Sequence, residues 1–204
     1  MKIIFTIIPM KEDLASLQYP AVGNKDLNYD GDVRFPVNAV LAKTMQAGET
    51  VKIVQLMNAV GNSANNAKLF RSELEIINTK IGATLEFFEV IEDFTEDKGT
   101  HEKRFRRLLE FLEEGAEIIT DITYGQKTLP IILFCVLNFA ERFFDANIKY
   151  IVYGKLEFEM GKPKKDSQAL YDLTPLYYLN TLVATMEAND GNSAIKMLDS
   201  FFTL

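Results

Sequence analysis

Asp121-Ile-Thr-Tyr-Gly-Gln-Lys-Thr128 is the stretch of this chain in which groups able to do chemistry are most concentrated. It follows an apolar run beginning at Ala116 and leads into a helical run with Pro130 in its first turn, the pattern of a turn between a buried strand and a helix. In an open α/β sheet, ligands bind in the crevice beyond the carboxyl ends of the strands. There Asp121 and Thr123 can accept from and donate to a ribose or a base, with Asp121 expected to hold the loop through backbone hydrogen bonds rather than touch phosphate, and Gly125 lets the backbone approach a ligand. The free amides around Gln126, Lys127, Thr128 and Leu129 can hold a phosphate. Similar groups follow the other expected strands: Thr6, Pro9 and Met10 after the first, Asn58, Gly61, Asn62 and Ser63 after the second, and Gly154 with Lys155 after the fifth. Asn and Gly also make turns, and Thr128 also serves as a helix cap, so for each residue a structural reading stands beside the functional one. Their shared place at one sheet edge favours binding for the set, and the chemistry suits adenosine and phosphate.

Other chemistries lack material. His101 is the single histidine, which leaves nothing from which to build a catalytic triad or a histidine metal site. No Walker A sequence, Gly-x-Gly-x-x-Gly fingerprint or Gly-x-Ser-x-Gly elbow occurs. Asp30 and Asp32 lie in a polar loop without the spacing or terminal glutamate of an EF-hand, so no metal or cofactor is expected. Cys135 is the only cysteine; it reads as a small core hydrophobe, and its solitude points to a reducing, cytoplasmic setting. The net charge of −7 argues against binding long nucleic acid through a basic surface. No membrane span is expected, because no apolar run reaches about eighteen residues.

The elements that must hold these groups alternate. Strands are expected over residues 2–8, 50–57, 84–91, 116–122 and 149–153, with Gly154-Lys155 as a turn and Leu156 to Glu159 either extending the fifth strand or beginning an adjoining one. Helices fall between them: residues 35–45, a run with Phe70, Leu74, Ile77 and Ile81 in register, a run with Phe105, Leu108, Leu109 and Leu112 inward, and residues 128–144. The charges of Glu102, Lys103, Arg106, Arg107 and Glu110 read as a solvated outer face. The polar segment 11–34 is long for a compact domain and reads as a functional loop. This is an α/β chain with a Rossmann-like, mostly parallel sheet flanked by helices and followed by C-terminal helices. The ligand-binding domain is expected over residues 1–170, and residues 171–204 form a helical segment or a linker to an effector. The helix over 128–144 is apolar nearly all round, which calls for burial on two sides and hence a two-fold dimer. The terminal Phe201-Phe-Thr-Leu204 leaves two readings, a fragment of a longer protein or the closure of a dimer interface.

Asp121-Ile-Thr-Tyr-Gly125 with Gln-Lys-Thr-Leu-Pro130, then Ile151-Val-Tyr-Gly154 and Tyr171-Asp-Leu-Thr-Pro175, resembles the CRISPR-associated Rossmann-fold (CARF) proteins of type III CRISPR systems. That family's hallmark is Asp-x-Thr-His-Gly, and Tyr124 stands here in place of the histidine. The resemblance implies a homodimer or higher assembly whose two sheet rims form a symmetric pocket for a cyclic oligoadenylate, a ring of four or six adenylates. It implies a sensor that controls an effector domain in antiviral defence. No HEPN ribonuclease motif can be built around His101. Some family members cleave the ring without a metal, so a ring nuclease is the alternative, with Thr6, Ser63, Thr123, Lys127 and Lys155 as the groups able to align the ribose hydroxyl and phosphate.

Overall fold

In the computed structural model, which describes residues 1–202, the alternation becomes β1 (Lys2–Ile7), β2 (Ala21–Val22), α1 (Pro36–Thr44), β3 (Thr50–Asn58), α2 (Ser63–Asn78), β4 (Thr84–Glu92), α3 (Lys98–Leu109), β5 (Glu117–Asp121), α4 (Thr128–Phe144) and β6 (Asn147–Lys155). The two-residue strands β7 (Phe158–Glu159) and β8 (Lys162–Pro163) follow, then β9 (Ala169–Asp172), α5 (Thr174–Thr185) and α6 (Gly191–Phe202). Thr203 and Leu204, with which the expected last segment closes, lie outside the described residues. The chain divides into two compact units, Met1–Thr174 and the residues from Pro175 onward. No helix among the described residues is long and apolar enough to cross a membrane.

The sheet runs β2-β9-β6-β5-β1-β3-β4. Its five long strands are parallel, and in chain order they give the sequence five, four, one, two, three of a Rossmann-like fold. The order reverses between β1 and β5, which makes that junction the topological switch point. β1 is buried along its whole length, as expected of a central strand covered on both faces. Ile4, Ile53, Ile119 and Val152 pack on one face with Val37, Val40, Leu41, Phe70 and Leu74 of α1 and α2. The alternate residues Ile3, Phe5 and Ile7 turn to the other face, where α3 and α4 lie against each other.

Four features depart from the expected layout. The loop 11–34 is partly ordered into the sheet: Ala21–Val22 pairs in parallel with β9, Leu17 and Val33 exchange backbone bonds, and Tyr19, Leu27 and Val33 are buried. β9, which has no counterpart in the expected layout, pairs antiparallel with β6 and carries the sheet two residues past 170. Gly154 is a strand residue and not a turn, because β6 continues through Lys155 to meet β9. Cys135 is exposed and not a core residue, since α4 turns Leu129, Ile132, Leu133, Val136 and Leu137 inward and leaves Ile131 and Cys135 outside.

Candidate functional site

Parallel strands put all their carboxyl ends on one edge, so Thr6 to Met10, Asn58 to Ser63, Asp121 to Thr128 and Gly154–Lys155 share one rim. At the switch point Thr6 and Asp121 are register partners on β1 and β5, and their side chains therefore point the same way. Thr6 Oγ1 donates to Asp121 Oδ2 at 3.0 Å, and the Thr123 amide donates to Asp121 Oδ1 at 3.0 Å, an Asx turn that bends the chain off the strand. Asp121 is fully buried, and this desolvation raises its carboxyl to about 6 despite the bonds from Thr123 and Thr6 that favour the ionised form. It holds the turn and is closed to a ligand.

The rest of the motif is also committed to scaffolding. Thr123 Oγ1 accepts from the Gly154 amide at 2.8 Å, tying the turn to β6. Tyr124 donates its hydroxyl to the Arg34 carbonyl at 2.9 Å and sets its ring edge-on to Phe35. Burial, with the charges of Asp121 and Glu73 nearby, pushes the Tyr124 phenol far above its ordinary range, so it remains a donor at any physiological pH. Gly125 has φ +94°, and an added Cβ would collide with Ile7 and crowd Leu129 at 3.0 Å. The glycine therefore serves core packing on its Cα side, a different reason from the ligand approach expected of it. At Gly154 the missing Cβ admits the Pro36 ring at the start of α1.

Around this scaffold the rim divides into two regions. Toward β4, Arg104 of α3 is only 3% exposed and donates to Asn58 Oδ1 at 3.3 Å, to the Asp93 carbonyl at 2.8 Å and to Gln126 Oε1 at 3.4 Å. It links three rim loops through neutral acceptors. Its charge is balanced at longer range by Glu92, Glu96 and Asp97. At the N-terminus of α4, Thr128 Oγ1 donates to Glu96 Oε1 at 2.8 Å, and the Leu129 amide is taken by the Gln126 carbonyl. A carboxylate thus lies beside this helix start, where the helix dipole favours negative charge. Lys127 is exposed beside it. Asn62, Asn65 and Asn66 bond among themselves, and Ser63 Oγ reaches the Val60 carbonyl, so this loop builds its own turn.

Toward β6 lies the open part of the rim. Lys11, Tyr19, Thr123, Tyr124, Tyr153, Gly154, Leu156 and Phe158 enclose a cavity of about 210 Å³. A larger one of about 420 Å³ shares Lys11 and Phe158 as walls and extends past Arg34 and Leu69. Tyr153 and Phe158 supply exposed aromatic faces, Tyr124 and the buried Tyr19 line the cavity beside them, and Lys11 supplies a cation that enters no ion pair among the described residues. Partial burial lowers the Lys11 amine. Its backbone is held firmly: buried Asn66 donates Nδ2 to the carbonyls of Pro9 and Lys11, both at 2.8 Å, and the Asn62 amide bonds the Met10 carbonyl at 2.9 Å. Lys155 at the end of β6 is engaged by Glu157 at 2.7 Å.

No protein-family model matches this chain, and no curated protein is significantly similar to it. The chemistry of the site therefore rests on its own geometry. Of the residues expected there from the sequence, Thr123, Tyr124 and Gly154 line the aromatic cavity, while Thr6, Pro9, Asn58, Ser63 and Asp121 are buried beneath the rim. Lys11, Tyr19, Tyr153, Phe158 and Arg104 join the rim without having been expected there. Tyr19 and Lys11 sit in the long loop, whose fold back over the switch point no local pattern announces. Arg104 lies one turn before Leu108 on the inward stripe of α3, a spacing that marks it as buried. Among the described residues no cluster of His, Cys, Asp and Glu could hold a metal ion.

Proposed function

We propose that this protein is a dimeric sensor that binds a cyclic oligoadenylate, the tetra- or hexa-adenylate, and through it controls an effector in antiviral defence of the type III CRISPR kind. The observation that carries this reading is the aromatic crevice beside the switch point. Adenine stacks on faces such as those of Tyr153 and Phe158, and the unpaired Lys11 ammonium suits the adjoining phosphate. A ring of identical nucleotides has the symmetry to span two such crevices in a two-fold dimer. The outer apolar stripe of α4, with Ile131 66% exposed and Phe143 58% exposed, is the surface that would meet the partner copy.

Two observations favour binding over cleavage of the ring. Tyr124, in the histidine position of the motif, is held protonated and spent on the Arg34 carbonyl. Asp121, the carboxylate closest to the turn, is sealed behind Thr6 and Thr123. Neither can accept a proton from a ribose hydroxyl in the crevice.

The test is to titrate the protein with cyclic tetra- and hexa-adenylate by calorimetry and to follow each ligand for hours by chromatography. Binding at micromolar concentration or better with the ring intact is the expected result. Linear products ending in a 2′,3′-cyclic phosphate would convert the reading to a ring nuclease. Failure of both rings to bind would remove it.

A further inference from the structure

The chain between β6 and β9 leaves the sheet as a small hairpin, β7 paired antiparallel with β8. Every residue from Phe158 to Asp166 is exposed, and Met160 at the tip is 99% exposed, so the hairpin contributes nothing to the core. It is stitched at its own base. The Lys164 amide bonds the Glu157 carbonyl at 2.8 Å, the Glu157 amide bonds Ser167 Oγ at 3.1 Å, and the Glu157 carboxylate sits between Lys155 at 2.7 Å and Lys164 at 3.2 Å. Across the crevice it is met by the Lys11 ammonium, which lies over the Phe158 ring, 4.7 Å from its centroid.

That contact forms the wall between the two cavities, and their sizes give it a consequence. The aromatic cavity, about 210 Å³, is smaller than the roughly 300 Å³ at which small-molecule pockets begin. Moving the shared wall would join it to the neighbouring space of about 420 Å³. Lys11 is on the fixed side of that wall, since Asn66 and Asn62 hold the backbone around it. Phe158 is on the movable side.

We propose that the hairpin Leu156–Ser167 is a gate over the aromatic crevice, latched by Lys11 on the Phe158 ring and released when a planar aromatic group of the ligand takes the place of the ammonium. This rests on the crevice being the ligand site. Release frees Lys11 to pair with an anion, so a base linked to a phosphate satisfies both halves of the broken latch while a neutral aromatic satisfies one. The latch is weak, as a gate requires. An exposed cation over a ring is worth about as much as thermal energy or slightly more, and exposed ion pairs such as those of Glu157 add little, so a ligand needs to supply little energy to release it.

Hydrogen exchange of the amides from Leu156 to Ser167, with tryptic cleavage after Lys164 and Lys165 as a second readout, tests the gate. Without ligand, Lys11→Ala and Phe158→Ala are expected to speed hairpin exchange by about two- to fivefold while β6 exchange stays unchanged. Both side chains are exposed, so circular dichroism should report an intact fold. Equal hairpin exchange and cleavage in the wild type and both variants would overturn the gate. Cyclic tetra-adenylate separates the two readings. If it binds yet the variants leave exchange and affinity as in the wild type, the gate falls and the sensor stands. If neither it nor cyclic hexa-adenylate binds while the variants still speed the hairpin, the sensor falls and the gate stands.

Discussion

A carboxylate enclosed by Thr6, the Thr123 amide and the sheet is harder to ionise than one in water, and burial carries Asp121 from 3.8 to about 6. A folded-state value above the unfolded one means that this group's contribution is complete below pH 3.8 and is lost as pH rises through about 6. The loss amounts to about 3 kcal/mol, from a rise of roughly two pH units at 1.36 kcal/mol each. Asp121→Asn should therefore flatten the fall in stability between pH 4 and pH 7, read as urea midpoints along a pH series. A variant with the wild-type slope would show that Asp121 is not the titrating group. Tyr124 makes a different residue-scale prediction. Tyr124→Phe keeps the ring against Phe35 and leaves the Arg34 carbonyl without its donor, so stability should drop by about 1 to 3 kcal/mol with little change in near-ultraviolet dichroism.

At the scale of elements, the rim is a set of loops bound to one another through strand ends and helix starts. Glu73 of α2 accepts from the Arg34 amide at 2.8 Å, the Phe35 amide at 3.3 Å and Asn38 Nδ2 at 2.9 Å, and so caps α1 from a neighbouring helix. Phe35 itself supplies no cap, and Pro36 accepts the first helical position without an amide to satisfy. The same α1 start presses Pro36 onto Gly154 of β6. Gly154→Ala should push these elements apart and destabilise the fold by about 1 to 3 kcal/mol, a cost of overpacking that thermal denaturation will read. The α4 start carries the complementary prediction. Glu96 competes with any ligand anion for that helix end, so Glu96→Ala should tighten binding of cyclic tetra-adenylate about three- to tenfold in calorimetry, whereas unchanged affinity would place the phosphates away from α4.

For the whole molecule, the uncovered stripe of α4 is one apolar surface that a single chain leaves open, and the exposed Ile195, Phe201 and Phe202 of α6 are another. α3 and α4 share an apolar groove of about 480 Å³ walled by Phe105, Ile131, Ile132 and Cys135, with His101 and Thr128 at its edge. In a dimer built on this face, Ile131→Glu buries a charge at the interface but in the free chain merely replaces an exposed isoleucine. If the wild type sediments as the proposed dimer, the variant should shift to monomer with an unchanged thermal midpoint at high dilution. A variant that sediments like the wild type would take α4 out of the interface.

Apolar spacing alone determined the five long strands, the helices between them and the Rossmann-like class, because period and length are local properties that a parallel sheet merely collects. It also determined that residues 121–128 lie at the carboxyl edge, since every parallel strand ends there. Tertiary structure decided which of those residues remain available. Thr6 meets Asp121 and Tyr124 meets Arg34 across 115 and 90 positions of chain, and such pairings leave no trace in local pattern. Burial turned most of the motif into the frame of the site and Gly154 from a turn into a strand residue, while folding of residues 11–34 over the switch point brought Lys11 and Tyr19 to the crevice. The sequence named the edge because strand direction is written locally; the open wall of the crevice came from packing, which depends on the whole chain at once.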